Sequence, residues 1–191
     1  MGIYTMKSNL QRKLVNKYGM TISELLIATI IILLVSAGMV TSIQQSAKYF
    51  NRSKIESESK TLCSSLEVLI ENELRYTERI KKEGGVYSYQ SQSHAQKASL
   101  ATISVATDTA NEYDGNLYGI VVLSYSDGTE IKLLSEGMYT LGIQANVNID
   151  SYDESTGIFK VNLFIVDKNG DELIKDTFYV ENLSHTEIST T

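Results

Sequence analysis

Residues 25–40, Leu-Leu-Ile-Ala-Thr-Ile-Ile-Ile-Leu-Leu-Val-Ser-Ala-Gly-Met-Val, carry no charge, and one acid, Glu24, stands immediately before them. As a helix rising ~1.5 Å per residue, residues 20–40 span about 31 Å, enough to cross a bilayer core of about 30 Å. An acid at the end of such a segment is expensive. It costs about 2.5 to 3.5 kcal/mol at a helix centre and less near an end. Kept there, it marks a functional site whose partner has to be named. Upstream, residues 1–19 contain Lys7, Arg12, Lys13 and Lys17 and no Asp or Glu. Positive flanks stay cytoplasmic, so the N-terminus is expected inside and the bulk of the chain outside the cytoplasmic membrane. An ordinary secretory signal has its small-residue cleavage site after the apolar region. Here Gly19 lies before it. A cut after Gly19 would leave the apolar segment on the mature chain and give Met20 an α-amino group a few residues from Glu24.

A basic leader, Gly19-Met20, Glu24 as the fifth residue after the Gly, and the apolar run coincide within forty residues. That combination resembles the type IV pilin family, including minor pilins and the pseudopilins of type II secretion. The resemblance is close over roughly the first forty residues, and beyond them it is one of layout. It implies that a membrane prepilin peptidase cuts after Gly19, with the leader residues Arg12, Lys13 and Lys17 held inside. It also implies that Met20 is N-methylated and that Glu24 sets subunit register in a helical filament. The implied partners are the peptidase, other pilin subunits, an assembly platform and the cytoplasmic membrane. Pilus, secretion and DNA-uptake filaments are equally compatible. Two other classes stay open: a signal-anchored extracellular binding module that does not polymerise, and a membrane-tethered enzyme.

The 191 residues suit one modest domain plus an anchor, at net charge −6. Removing residues 1–19 takes away four basic residues and no acids, leaving 13 basic against 23 acidic, a net of −10. That argues against nucleic-acid binding driven by bulk electrostatics. Cys63 is the only cysteine, so no intrachain disulfide forms. Many pilins staple a C-terminal loop with one, and this chain departs from that pattern. Pro is absent too, so a bend in the long helix needs another cause, for which Gly38 is the candidate.

Residues 41–82 contain neither Pro nor Gly. Ile43, Ala47 and Phe50, then Leu62, Leu66 and Leu69, and Leu66, Ile70 and Leu74 recur at helical spacing. Glu71 and Arg75, and Glu78 and Lys82, stand four apart in the favourable order. Lys81-Lys82 before Gly84-Gly85 reads as a helix end. The alternative is two helices broken near residues 51–53. Residues 86–114 show little period apart from 100–105, and are expected to form a surface loop with one short strand. Tyr87, Tyr89 and Tyr113 fall there as packing residues or contacts. From Leu117 the pattern is antiparallel β. Asp127-Gly128 and Asn169-Gly170 signal hairpins, the latter of type I′. Residues 143–149 alternate cleanly, and residues 158–166, apolar on both faces, are expected to be central and doubly covered.

The expectation is an α+β protein: a long N-terminal helix, membrane-spanning in its first half, packed on an antiparallel sheet of about four to six strands in a pilin-like roll. Its segments are a leader (1–19), a transmembrane and filament-core helix (20–42), an amphipathic continuation (43–82), a variable loop region (83–116) and the sheet of a globular head (117–191).

No catalytic or cofactor motif emerges. His94 and His185 have no zinc-type spacing, and there is no Gly-x-Ser-x-Gly elbow or Gly-rich phosphate loop. Asp167, Asn169 and Asp171 start like a calcium loop. Its sixth and twelfth positions are Glu172 and Phe178, so a hairpin turn accounts for them better. Asp150, Asp153 and Glu154 read as a solvated acidic loop. Asn51-Arg-Ser53 and Asn182-Leu-Ser184 match the glycosylation pattern.

Overall fold

The computed structural model describes residues 20–91 and 99–184. The chain divides between Phe50 and Asn51 into two compact units. One helix, α1 (Ile22–Arg75), is assigned without interruption through residues 51–53. In the first unit its large apolar side chains, from Ile22 through Ile43, are exposed in the single chain. It is long and apolar enough to cross a membrane. Its hydroxyls are bonded within the helix: Thr29 Oγ1 donates to Leu26 O at 2.8 Å and Ser36 Oγ to Ile32 O at 2.7 Å. Thr41 and Ser42 both donate to Gly38 O at 2.9 Å.

In the second unit the helical stripe becomes a core. Leu62, Leu66, Ile70 and Leu74, four apart, are fully buried in one cluster with Phe159, Val161, Leu163 and Ile165. Cys63 is buried beside them. The upstream members Ile43 and Phe50 stay exposed, so the sequence period is continuous but its burial is not.

The helix ends at Arg75, earlier than the expected Lys82. Thr77 donates through both its N–H and its Oγ1 to Leu74 O, and Leu183 N–H donates to Arg75 O at 2.8 Å. The last carbonyls are thus taken by a β-branched residue and by the far end of the chain. Residues that were expected to extend the helix form β1 (Glu78–Glu83), antiparallel to β2 (Val86–Gln90). Gly84 and Gly85 have φ of 58° and 89°, the two positive values a type I′ hairpin demands. They close a hairpin and do not cap a helix. The pair Glu71–Arg75 forms as expected. Glu78 and Lys82 lie in a strand, where helical spacing has no meaning.

β3 (Ala101–Val105), β4 (Asn111–Tyr113), β5 (Asn116–Tyr118), β6 (Val121–Tyr125) and β7 (Glu130–Lys132) follow, then the long β8 (Gln144–Asp153), β9 (Ile158–Val166) and β10 (Glu172–Glu181). The architecture is α+β, with the helix packed on antiparallel sheets. The strands divide among a five-stranded sheet in the order β1-β2-β3-β6-β7, a three-stranded sheet β10-β9-β8 and the hairpin β4-β5. Residues 83–116, expected as loop with one short strand near 100–105, supply that strand as β3 and also form β2 and β4. Tyr87 and Tyr89 are core residues.

The β pattern that starts at Leu117 does not run unbroken to the Asp127-Gly128 turn, because Gly119 separates β5 from β6. The Gly119 N–H and C=O both bond Ala145, at 2.9 and 3.0 Å, which ties the β5–β6 junction to β8 of the three-stranded sheet. A Cβ there would sit 2.8 Å from Val105 Cγ1 and 2.9 Å from Thr109 O, so only glycine fits. β9 is central, as expected, yet covered on one face. Phe159, Val161, Leu163 and Ile165 are buried, whereas Lys160, Asn162 and Phe164 on the other side are half-exposed and Ile158 is exposed.

Candidate functional site

Thr21 and Glu24 begin the helix. Thr21 N–H donates to Glu24 Oε2 at 2.9 Å, and Glu24 N–H donates back to Thr21 Oγ1 at 3.3 Å. This is a capping box, the reciprocal Thr-x-x-Glu arrangement that satisfies two N–H groups the first turn leaves orphaned. Thr21 Oγ1 also donates to Glu24 Oε2 at 2.9 Å and lies 3.0 Å from Ser23 Oγ. Leu25 N–H closes the first α-turn on Thr21 O at 3.1 Å.

The carboxylate is therefore anchored through one oxygen. Among the described residues, Glu24 Oε1 has no partner. It stands at the positive end of the helix dipole, where an anion is favoured. Its surroundings are apolar and exposed: Met20, Ile22, Leu25, Leu26 and Ile27. Such a site can hold a negative charge in a fixed position and offer one free oxygen to a cation.

The sequence reading singled out Glu24 and missed Thr21. The signal was present, because Thr three residues before Glu ahead of an apolar run is the capping-box signature. Met20 is exposed directly before this turn. Gly19, Lys7, Arg12, Lys13 and Lys17 lie outside the described residues, as do His94 and His185.

The acidic loops are spent on their own turns. Asp167 Oδ1 accepts from the N–H groups of Asn169 and Asp171 at 2.8 and 3.0 Å, and Oδ2 from Asn169 Nδ2 at 3.0 Å. Only Gly170 in that turn has positive φ, 87°, so it is a three-residue loop with a glycine bulge and not the expected type I′ turn. Asp153 Oδ1 accepts from Ser155 N–H and Oγ, and Oδ2 from Thr156 Oγ1; these bonds hold its carboxyl down at about 2. Asp150 pairs with Lys160 at 2.8 Å. No group of three metal-ligating side chains occurs among the described residues.

Glu73 and Tyr89 lie inside the core, and burial, with the Glu73 carboxylate adding to it, pushes the Tyr89 hydroxyl well above its ordinary range. Burial likewise drives the Cys63 thiol up to about 11, away from nucleophilic reactivity.

No family model, curated protein or solved structure matches this chain.

Proposed function

We propose that this chain is a prepilin-type structural subunit, a minor pilin or pseudopilin, stored in the cytoplasmic membrane and assembled through its N-terminal helix. The observation that carries the reading is a lone acid, anchored by one oxygen to the helix cap, at the fifth position after Gly19 and directly before an exposed apolar helix face.

In the membrane-stored form the balance favours insertion. Between Ile22 and Val40 there are eleven Leu, Ile and Val residues. At about 0.3 to 0.6 kcal/mol each they contribute roughly 3 to 7 kcal/mol. Glu24, at the segment's end, costs less than the about 2.5 to 3.5 kcal/mol of a central acid. Its cap bonds travel with it, and the Thr29 and Ser36 hydroxyls carry their acceptors in the same helix. Hydrocarbon requires such internal satisfaction.

In the filament, cleavage after Gly19 gives Met20 a protonated amine, with an ordinary pKa of about 7.7 to 8.0. The amine of a neighbouring subunit takes the free Oε1 of Glu24, while Oε2 stays on the cap. A wrong register leaves a buried charge unpaired, which typically costs about 3 to 5 kcal/mol. Glu24 therefore selects stagger more than it adds total stability.

The capping box gives Glu24 a second, local role, and one experiment separates the two. Gln at this position retains the cap acceptor and loses the charge; Ala loses both. Both Glu24→Gln and Glu24→Ala are expected to insert and be cleaved, and both to enter filaments at well under the normal level in an immunoblot of sheared material. Normal incorporation of Glu24→Gln reduces the residue to a helix cap and ends the register role. Mass spectrometry of the native N-terminus tests the class itself: a methylated Met20 is expected, and an intact Met1 overturns the proposal in favour of an uncleaved anchor bearing a binding module.

A further inference from the structure

The hairpin β4-β5 and the outer faces of β8 and β9 enclose a groove of about 630 Å³. That is within the roughly 300 to 1,000 Å³ of ordinary ligand sites. It lies wholly in the second unit. Its lining is unusual in chemistry, with four carboxamides, Asn116, Asn146, Asn148 and Asn162, and two aromatic rings, Tyr118 and Phe164.

The amides are held at one end and open at the other. Asn146 Nδ2 donates to Leu117 O at 2.5 Å, which ties the hairpin to β8, and its oxygen has no partner among the described residues. Asn116 Nδ2 donates to Asp114 O at 3.3 Å. Asn162 Oδ1 accepts from Thr177 Oγ1 at 2.8 Å, and its NH2 group has no partner among the described residues. Asn148, exposed, has no side-chain partner among the described residues. Register fixes their spacing: Asn146 pairs across from Phe164, and Asn148 from Asn162. Amides and a ring thus stand on neighbouring rungs of one sheet face. Tyr118 is braced by Tyr113, at 6.0 Å between ring centroids. Tyr113 in turn donates its hydroxyl to Lys168 O at 3.0 Å and lies over Gly170, where a Cβ would come within 2.5 Å of the ring. The hairpin is thereby fixed and not a loose flap.

We propose that this groove binds an uncharged oligosaccharide. A carboxamide offers a donor and an acceptor side by side, which matches adjacent hydroxyls that are themselves both donor and acceptor. Half-buried rings fit the C–H faces of a sugar. The charges lining the groove are Asp114 and Glu172, and one cation stands beside it, Lys175 on β10, whose Nζ lies 5.3 Å from the Phe164 ring centroid. Two carboxylates against that one ammonium disfavour phosphates, nucleic acids and sulfated glycans. A peptide adding to the β8 edge would bind through main-chain atoms and ignore these side chains. The inference is independent of the filament reading, since it uses no residue of the first unit.

The test is saturation-transfer NMR on the full chain in glycolipid-free nanodiscs, with neutral hexasaccharides of glucose, galactose and N-acetylglucosamine as probes. A glucosamine hexamer and a heparin hexasaccharide serve as cationic and anionic counter-probes. At least one neutral probe is expected to bind, with affinity falling roughly two- to tenfold in Asn148→Ala and in Asn162→Ala, the equivalent of one hydrogen bond each. Asn148→Ala should melt at the wild-type temperature, since its side chain supports nothing. Three results overturn the proposal: no transfer from any neutral probe at millimolar concentration, binding confined to a charged hexamer, or wild-type affinity in both variants.

Discussion

Asn182 shows how much of this fold rests on one amide. It is buried, and its Nδ2 donates to both Thr77 O and Thr77 Oγ1 at 2.9 Å, across 105 residues of sequence. Its own N–H goes to Gly157 O and its Oδ1 accepts from Ser184 N–H. Every polar atom of the side chain is used, and the groups it satisfies lie where the helix ends and β10 finishes. Replacing it by Ala strands the buried Thr77 carbonyl and leaves the Thr77 hydroxyl with Leu74 O alone. Asn182→Ala should lower the unfolding free energy by about 1 to 3 kcal/mol in urea titration. The same geometry closes the Asn182-Leu-Ser184 sequon, because the nitrogen that would carry a glycan is the one bonded to Thr77. At Glu24, by contrast, the sequence showed the charge and its unusual setting, and the Thr-x-x-Glu spacing that marks Thr21 as its bond partner was written there too, though unread.

At the scale of elements, α1 illustrates how a periodic pattern can be right and its meaning change along the way. The stripe recurs from Ile43 to Leu74, yet only the part from Leu62 onward is sealed by strands. Leu66→Ala should therefore cost about 2 to 5 kcal/mol in the stability of the β-containing unit. Ile43→Ala should leave that stability unchanged within about 0.5 kcal/mol, and both are read from denaturant melts of the two variants. If the two cost the same, burial does not separate the halves. The hairpin β1-β2 was invisible to the sequence reading for a related reason. Its charges, Glu78, Lys81 and Lys82, sit at helical spacing, and Gly84-Gly85 serves equally as a helix stop or a type I′ turn. The decision came from Asn182 and Leu183, which occupy the helix end from a distant part of the chain.

For the whole molecule, the proposed membrane orientation rests on the charge distribution. Four basic residues and no acids precede Gly19, and the remainder is strongly acidic. With the basic flank retained inside, protease added to intact spheroplasts should digest the region after residue 51, leaving a short N-terminal fragment detectable by an N-terminal epitope in a subunit whose cleavage is blocked. Loss of that epitope with intact membranes would mean the opposite orientation. The α+β class and the placement of helix before strands were legible because apolar period is written locally, at 3.6 and 2 residues. So were β3, the strand pairs around Asp127-Gly128 and Asn169-Gly170, and the lone acid ahead of the apolar run. What residues 20–40 are, an apolar segment with the single acid Glu24 that is long enough as a helix for a bilayer core, needs nothing beyond the order of their side chains. The division of strands into separate sheets, the end of the helix at Arg75 and the amide-lined groove depend on contacts between residues tens to a hundred positions apart. Gly119 turns from β-chain into a bridge because Ala145 meets it, and Asn148 and Asn162 become neighbours only through strand register. Local propensity fixes which segments pair well with themselves; the free energy of closing long loops and filling a shared core decides which of them meet.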